Sequence, residues 1–94
     1  VNLKWTRSAT KHRISRERSR YVIEQCGLRF KQEAPSDAPV GASSRVVFLG
    51  DDTEGVALEV MAVELEDENL LVIHAMPLRD RYRKQYEEAM KWRR

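Results

Sequence analysis

His74 stands at the end of an apolar stretch and directly before a run of arginines, in "VIHAMPLRDRYRKQY" from Val72 to Tyr86. Core packing alone does not ask for that combination, whereas a phosphate-handling site does. Cleavage of RNA without a metal needs a base for the 2′-hydroxyl, an acid for the leaving oxygen, and cations for the charge that builds on phosphorus. His74 can serve as base or acid near neutral pH. Arg79, Arg81 and Arg83 follow it, and Arg45 opens an earlier apolar run. Guanidinium groups grip phosphate through a planar fork. Tyr82 and Tyr86 offer rings for base stacking, although their spacing fits a helix's apolar stripe better. Lys11 and His12 form a second basic pair in "ATKHRIS", but neighbours on a helix point about 100° apart.

A partner for His74 depends on how the chain folds back over "EDEN". A two- or four-residue turn sets Leu65 opposite Leu70, so Met61 faces His74 and Glu59 faces Met76. Glu59 and His74 are then diagonal neighbours on one face, within side-chain reach. A three-residue turn separates them, because a one-residue slip sends every side chain to the other face. With period-two alternation, Leu70, Val72, His74 and Met76 share a face. A carboxylate beside an imidazole is an acid/base pair, so the expected catalytic set is His74, Glu59, Arg79 and Arg81. The expected RNA-binding set is Lys11, His12, Arg45, Arg83 and Tyr86.

The elements that must position these residues read as follows. "NLKWT" is a short first strand, with Thr6 or Ser8 starting a basic helical turn. Ser15 caps a helix running to Cys26, where Gly27 ends it. Val22, Ile23 and Cys26 form its buried stripe. "LRFKQE" alternates as a strand, and "APSDAPVGASS" (residues 34–44) is a loop. "RVVFLG", "VALEVMAVEL" and "LLVIHAM" form an antiparallel meander turning at "DDTEG" and "EDEN". Pro77 breaks the last strand and opens a helix from Leu78. The expected class is α+β: an antiparallel sheet of four to five strands, two N-terminal helices and one C-terminal helix, with the helices on one face.

The 94 residues suit one domain, 1–94. Charged residues make up 34% and apolar residues 41%, a globular composition. The net charge of +2 hides a division. Residues 1–31 carry nine Lys/Arg and two acids, residues 32–77 one and ten, and residues 78–94 seven and three. Such segregation suits an anionic partner at the basic segments. No apolar run approaches the roughly 18–20 residues that cross a bilayer. The start "VNLKWTRSAT" lacks an apolar signal core, which with a single cysteine points to a reducing, cytoplasmic setting. One cysteine and two histidines exclude the usual zinc spacings, so neither metal nor cofactor is expected. Gly-rich phosphate loops and Gly-x-Ser-x-Gly elbows are missing. Asp51, Asp52 and Glu54 match no calcium loop and read as a polar turn. Cys26 reads as a small core residue.

"KWTRSATKHRIS" resembles the opening of BrnT-type toxins, where a Trp-bearing first strand runs into Lys-His-x-Val/Ile-Ser. "LEVMAVELEDENLLVIHAMPLRDRYRKQYEEA" resembles their last two strands and final helix. The resemblance covers both ends and the strand order, and omits the loop of residues 34–44. It implies a RelE/BrnT-like fold and a small, metal-independent ribonuclease of a type II toxin–antitoxin system. It further implies a cognate antitoxin as partner and RNA, ribosome-associated or free, as target. By position Lys11 and His12 match the opening motif, and Arg81, Arg83 and Tyr86 the final helix. At the end of the last strand the family's Ser-Ala-Arg is His74-Ala75-Met76 here. An arginine expected on phosphate is thus a methionine, and His74 must rebuild the site or the usual chemistry is lost. The alternative is a non-catalytic nucleic-acid-binding or protein-interaction module.

Overall fold

The computed structural model describes residues 2–25, 28–32, 45–65 and 68–92. The expected loop of residues 34–44, Cys26 and Gly27 lie outside them. The chain runs β1 (Leu3–Trp5), a short 3-10 turn (Arg7–Thr10), α1 (Arg16–Gln25), β2 (Leu28–Gln32), β3 (Arg45–Asp51), β4 (Ala57–Glu64), β5 (Leu70–Pro77) and α2 (Asp80–Trp92). The class is α+β, and the strands form one sheet in the order β1-β5-β4-β3-β2. Among the described residues no helix is long and apolar enough to cross a membrane.

β2 to β5 are the expected antiparallel run, but the sheet as a whole is mixed. β1 lies parallel to β5, with Leu3 opposite Leu70 and Trp5 opposite Val72. Leu70 N–H donates to the Asn2 carbonyl and Thr6 N–H to the Val72 carbonyl, each at 3.0 Å. Of the two expected N-terminal helices, the first is only the 3-10 turn. The second starts where Ser15 was expected to cap it, its Oγ accepting the Arg18 N–H at 3.1 Å. Pro77 is still paired, opposite Leu58, as the last strand residue. α2 therefore begins at Asp80, two residues later than expected.

The helices also sit on opposite faces instead of one. Val22 of α1, with Ala9 and Ile14, packs on Val46, Phe48, Leu58, Val60, Ala62, Leu70, Val72 and Ala75. Tyr82 of α2, flanked by Leu78 and Tyr86, packs on Val47, Leu49, Met61, Leu28, Phe30 and Ile73. β3 explains this: Val46 to Gly50 are all buried, so it needs cover on both sides. Fully burying each such Val, Leu or Phe side chain stabilises by about 1.5–3 kcal/mol. On the α1 face, Trp5 Nε1 donates to the buried Ser19 Oγ at 3.0 Å. The Arg16 and Arg20 guanidinium groups lie 5.5 and 5.2 Å from the Trp5 ring centroid.

The β4–β5 pairing carries the feature that shapes the site. At the turn end Glu64 faces Leu70 and Ala62 faces Val72, one residue off the expected register. A bulge at Ile73 then restores it, so Met61 faces His74 and Glu59 faces Met76. His74 therefore does not share a face with Leu70 and Val72. Those two point to α1, while His74 turns toward the α2 side. The bulged residue's carbonyl is not orphaned, because Ser8 Oγ donates to it at 3.0 Å.

Candidate functional site

Glu59 lies in the middle of β4 and is fully buried. Such a carboxylate needs a full set of donors, and Arg79, the residue before α2, supplies them. Its backbone N–H donates to Oε1 at 2.8 Å. Its Nε lies 3.0 Å from both oxygens, and Nη2 donates to Oε2 at 2.6 Å. This contact ties the start of α2 to the sheet and holds the Arg79 guanidinium above its ordinary pKa, first through hydrogen bonding to Glu59. With no exposed surface, Glu59 cannot touch a substrate. It stands beside His74, as expected, with its oxygens committed to Arg79.

His74 Nε2 lies 3.3 Å from Glu59 Oε2. The nitrogen is buried and makes no aligned hydrogen bond. Burial pushes the imidazole below its ordinary value of 6.5, the Glu59 charge opposes that, and Arg79 and His12 reinforce it. The shift favours the neutral ring. The 3.3 Å approach of Nε2 to the carboxylate favours the tautomer with the proton on Nε2, in which Nδ1 is the acceptor. His12 meets it edge-on, with ring centroids 5.9 Å apart.

Around His74 lies a hollow of about 490 Å³. Lys11, Arg45, Arg79 and Arg81 line it, as do Ser8 and Gln32. Arg45 enters from the exposed start of β3, Lys11 from the segment after the 3-10 turn, and Arg81 from the first turn of α2. Arg79 is neutralised by Glu59, whereas Lys11, Arg45 and Arg81 form no ion pair among the described residues. The Arg81 guanidinium lies over the Tyr82 ring, 4.9 Å from its centroid, which braces the charged end at the wall of the hollow. Three cations without an ion pair among the described residues, together with the His74 imidazole, make a site suited to a phosphodiester.

The structure brings together His74, Glu59, Arg79, Arg81, Lys11, His12 and Arg45. Two expected residues fall elsewhere. Arg83 is exposed and points to Asp80 at 3.4 Å. Tyr86 donates to Asp51 at 2.5 Å, at the opposite end of β3 from Arg45. Burial and that hydrogen bond push its phenol up to about 12. The expected polar turn is present, and it contains a buried ion pair, Arg18 Nε to Asp52 Oδ2 at 2.6 Å. Tyr82 is a core residue, as its spacing suggested. Sequence reasoning missed Ser8 and Gln32. No local signal marks Ser8, which acts through the bulge. Gln32 was legible as the last residue on the Leu28–Phe30 face.

No group of three or more potential metal ligands occurs among the described residues. Comparison with models of known families, with curated proteins and with solved structures finds no match to this chain.

Proposed function

We propose that this chain is an RNA-cleaving toxin of the BrnT/RelE kind, acting without a metal at the hollow around His74. The observation that carries the reading is the part-buried His74 ring in one hollow with Lys11, Arg45 and Arg81, three cations that form no ion pair among the described residues. His74 Nδ1 takes the proton of a ribose 2′-hydroxyl, and the 2′-oxygen bonds to phosphorus. Arg45, Arg81 and the free edge of Arg79 hold the phosphate oxygens. The bond from phosphorus to the 5′-oxygen breaks, and that oxygen takes a proton from Lys11. Lys11 is the one hollow cation able to release a proton, since guanidinium groups do not. The products are a 2′,3′-cyclic phosphate and a 5′-hydroxyl. An antitoxin, in this reading, restrains the activity in the host.

Purified protein is expected to cleave RNA in excess chelator and to spare RNA with a 2′-deoxy linkage at the cut. His74→Ala is expected to lose cleavage by at least about 100-fold, the usual scale of acid–base catalysis. Intact RNA after incubation with the folded protein removes the proposal. A second reading, an RNA-binding module without catalysis, draws on Nε2 facing inward and on Met76 replacing the family's arginine. Salt-dependent binding without cut products would select it.

A further inference from the structure

Gln32 closes β2 directly opposite Arg45, so the two side chains stand side by side at the rim of the hollow. Its amide is engaged by Tyr82. Tyr82 is 4% exposed, wedged between the Phe30 ring at 6.1 Å and the Arg81 guanidinium. The Tyr82 hydroxyl donates to Gln32 Oε1 at 3.0 Å. A phenol can also accept, but the amide as placed lets the phenol donate to its oxygen. In this orientation the amide oxygen is engaged by Tyr82, and its N–H groups are the part of Gln32 left to donate to a ligand in the hollow it lines.

We infer that Gln32 is a specificity-determining residue that reads a base edge carrying only acceptors, the guanine O6/N7 edge, beside the phosphate held by Arg45. This rests on the RNA reading above and adds the identity of the base. A free glutamine offers a donor and an acceptor together and so suits adenine N6/N7. A glutamine whose oxygen is occupied meets the adenine N6 amine donor to donor and rejects it. Guanine presents two neighbouring acceptors there and no donor. Arg81 and Arg45 flank the site, so the base is placed by the phosphate grip and selected by the amide.

The test uses short oligoribonucleotides identical except for one central nucleotide: guanine, 7-deazaguanine, adenine or uracil. Binding is measured by fluorescence anisotropy, and cleavage, where present, by product yield. Guanine is expected to be favoured over adenine and 7-deazaguanine by about 5- to 100-fold, the range of one good edge contact. Tyr82→Phe frees the amide and Gln32→Ala removes it, and each is expected to reduce the preference to under about twofold while phosphate-driven binding persists. Circular dichroism confirms that each variant is folded, and Gln32→Ala, on an edge strand, keeps the test open if Tyr82→Phe is not. RNA bound with no guanine preference, or with a preference that survives in Gln32→Ala, overturns this inference alone. Absence of binding to every oligonucleotide overturns it together with the RNA reading.

Discussion

Two buried carboxylates in this protein each face an arginine, and they do different things. Asp52 sits in the β3–β4 turn, where Arg18 of α1 meets it at 2.6 Å and the Glu54 and Val56 N–H groups donate to its other oxygen. Burial alone would raise its pKa, but the donors win and hold it below the ordinary 3.8. Glu59 sits in mid-strand and takes Arg79 from the other face. In the Asp52 cluster both carboxylate oxygens are paired, with two donors from the turn itself and Arg18 from α1, and Gly55 supplies the turn's positive φ of 79°. The cluster borders a separate hollow of about 800 Å³ that Tyr86 also lines. The Glu59 cluster has a remainder, His74, whose Nε2 has no aligned partner and whose ring borders a cationic hollow. The same ion-pair chemistry thus builds a staple at one place and the floor of a site at the other.

The largest expected effect tests how each carboxylate depends on its arginine. Arg79→Met leaves Glu59 buried without its main donors, and breaking such a pair costs about 3–5 kcal/mol. Arg79 keeps some solvent contact, so the lower end of that range is expected. Arg18→Met leaves Asp52 with two backbone donors and is expected to cost about 1–2 kcal/mol. Urea denaturation of both variants measures the difference. Equal costs would mean that Glu59 is as well held without Arg79 as Asp52 is without Arg18, and the comparison would fail.

A second effect concerns pH. Between its depressed folded value and 6.5, His74 binds fewer protons in the folded protein than in the unfolded chain. Stability therefore rises with pH across that window and is lost as pH falls from 6.5 toward the folded value. Glu59, Arg79 and His12 all face the ring and set the size of the effect. His74→Gln is expected to flatten this slope in denaturation measured from pH 7 downward. In the cleavage assay the acid limb of the rate profile is expected below 6.5. A limb above 6.5 would assign the base to another group.

The sequence made part of this visible, and the reasons for the rest are physical. The Met61–His74 and Glu59–Met76 pairings were legible from strand alternation, yet the register at the turn was not, because a bulge without glycine leaves no mark in composition. Two one-residue errors cancelled at His74 and left its face wrong relative to Val72. The parallel pairing of β1 was invisible, since three residues carry little pattern and their partners lie 67 positions away in sequence. The two-sided cover of the sheet was legible in "RVVFLG", an unbroken apolar run of the kind found in strands buried on both faces. Of the site, charge segregation pointed to the right segments but could not tell Arg81, braced on Tyr82, from Arg83, which turns to Asp80. Helix phase against the sheet decides that, and it was unknown until the helix face was known.

That distinction yields a third expectation. Arg45→Gln, Lys11→Gln and Arg81→Gln are each expected to weaken RNA binding several-fold and lower the salt slope by about 0.7, the value for one contact to a single strand. Arg83→Gln, outside the hollow, is expected to leave the slope unchanged. Fluorescence titrations at several salt concentrations read this directly. Equal slopes for Arg81 and Arg83 variants would place the bound strand along the outer face of α2 instead of in the hollow.

The smallest effect lies at the other end of β3, beside Asp52. The Tyr86 phenol is pushed up to about 12, chiefly by burial and then by its hydrogen bond to Asp51. A raised phenol contributes stability that is complete below pH 10 and is lost as pH rises through about 12. Tyr86→Phe removes that contribution and lets the half-buried Asp51 rehydrate, at a cost of about 0.5–1 kcal/mol at neutral pH. Alkaline denaturation of the parent and of Tyr86→Phe checks both statements, and phenolate absorbance separates Tyr86 from the exposed Tyr21. RNA binding is expected to be untouched, because Tyr86 and the hollow sit at opposite ends of β3. Were binding to fall with Tyr86→Phe while stability held, the Asp52 end would be part of the site, and the division between staple and floor would not stand.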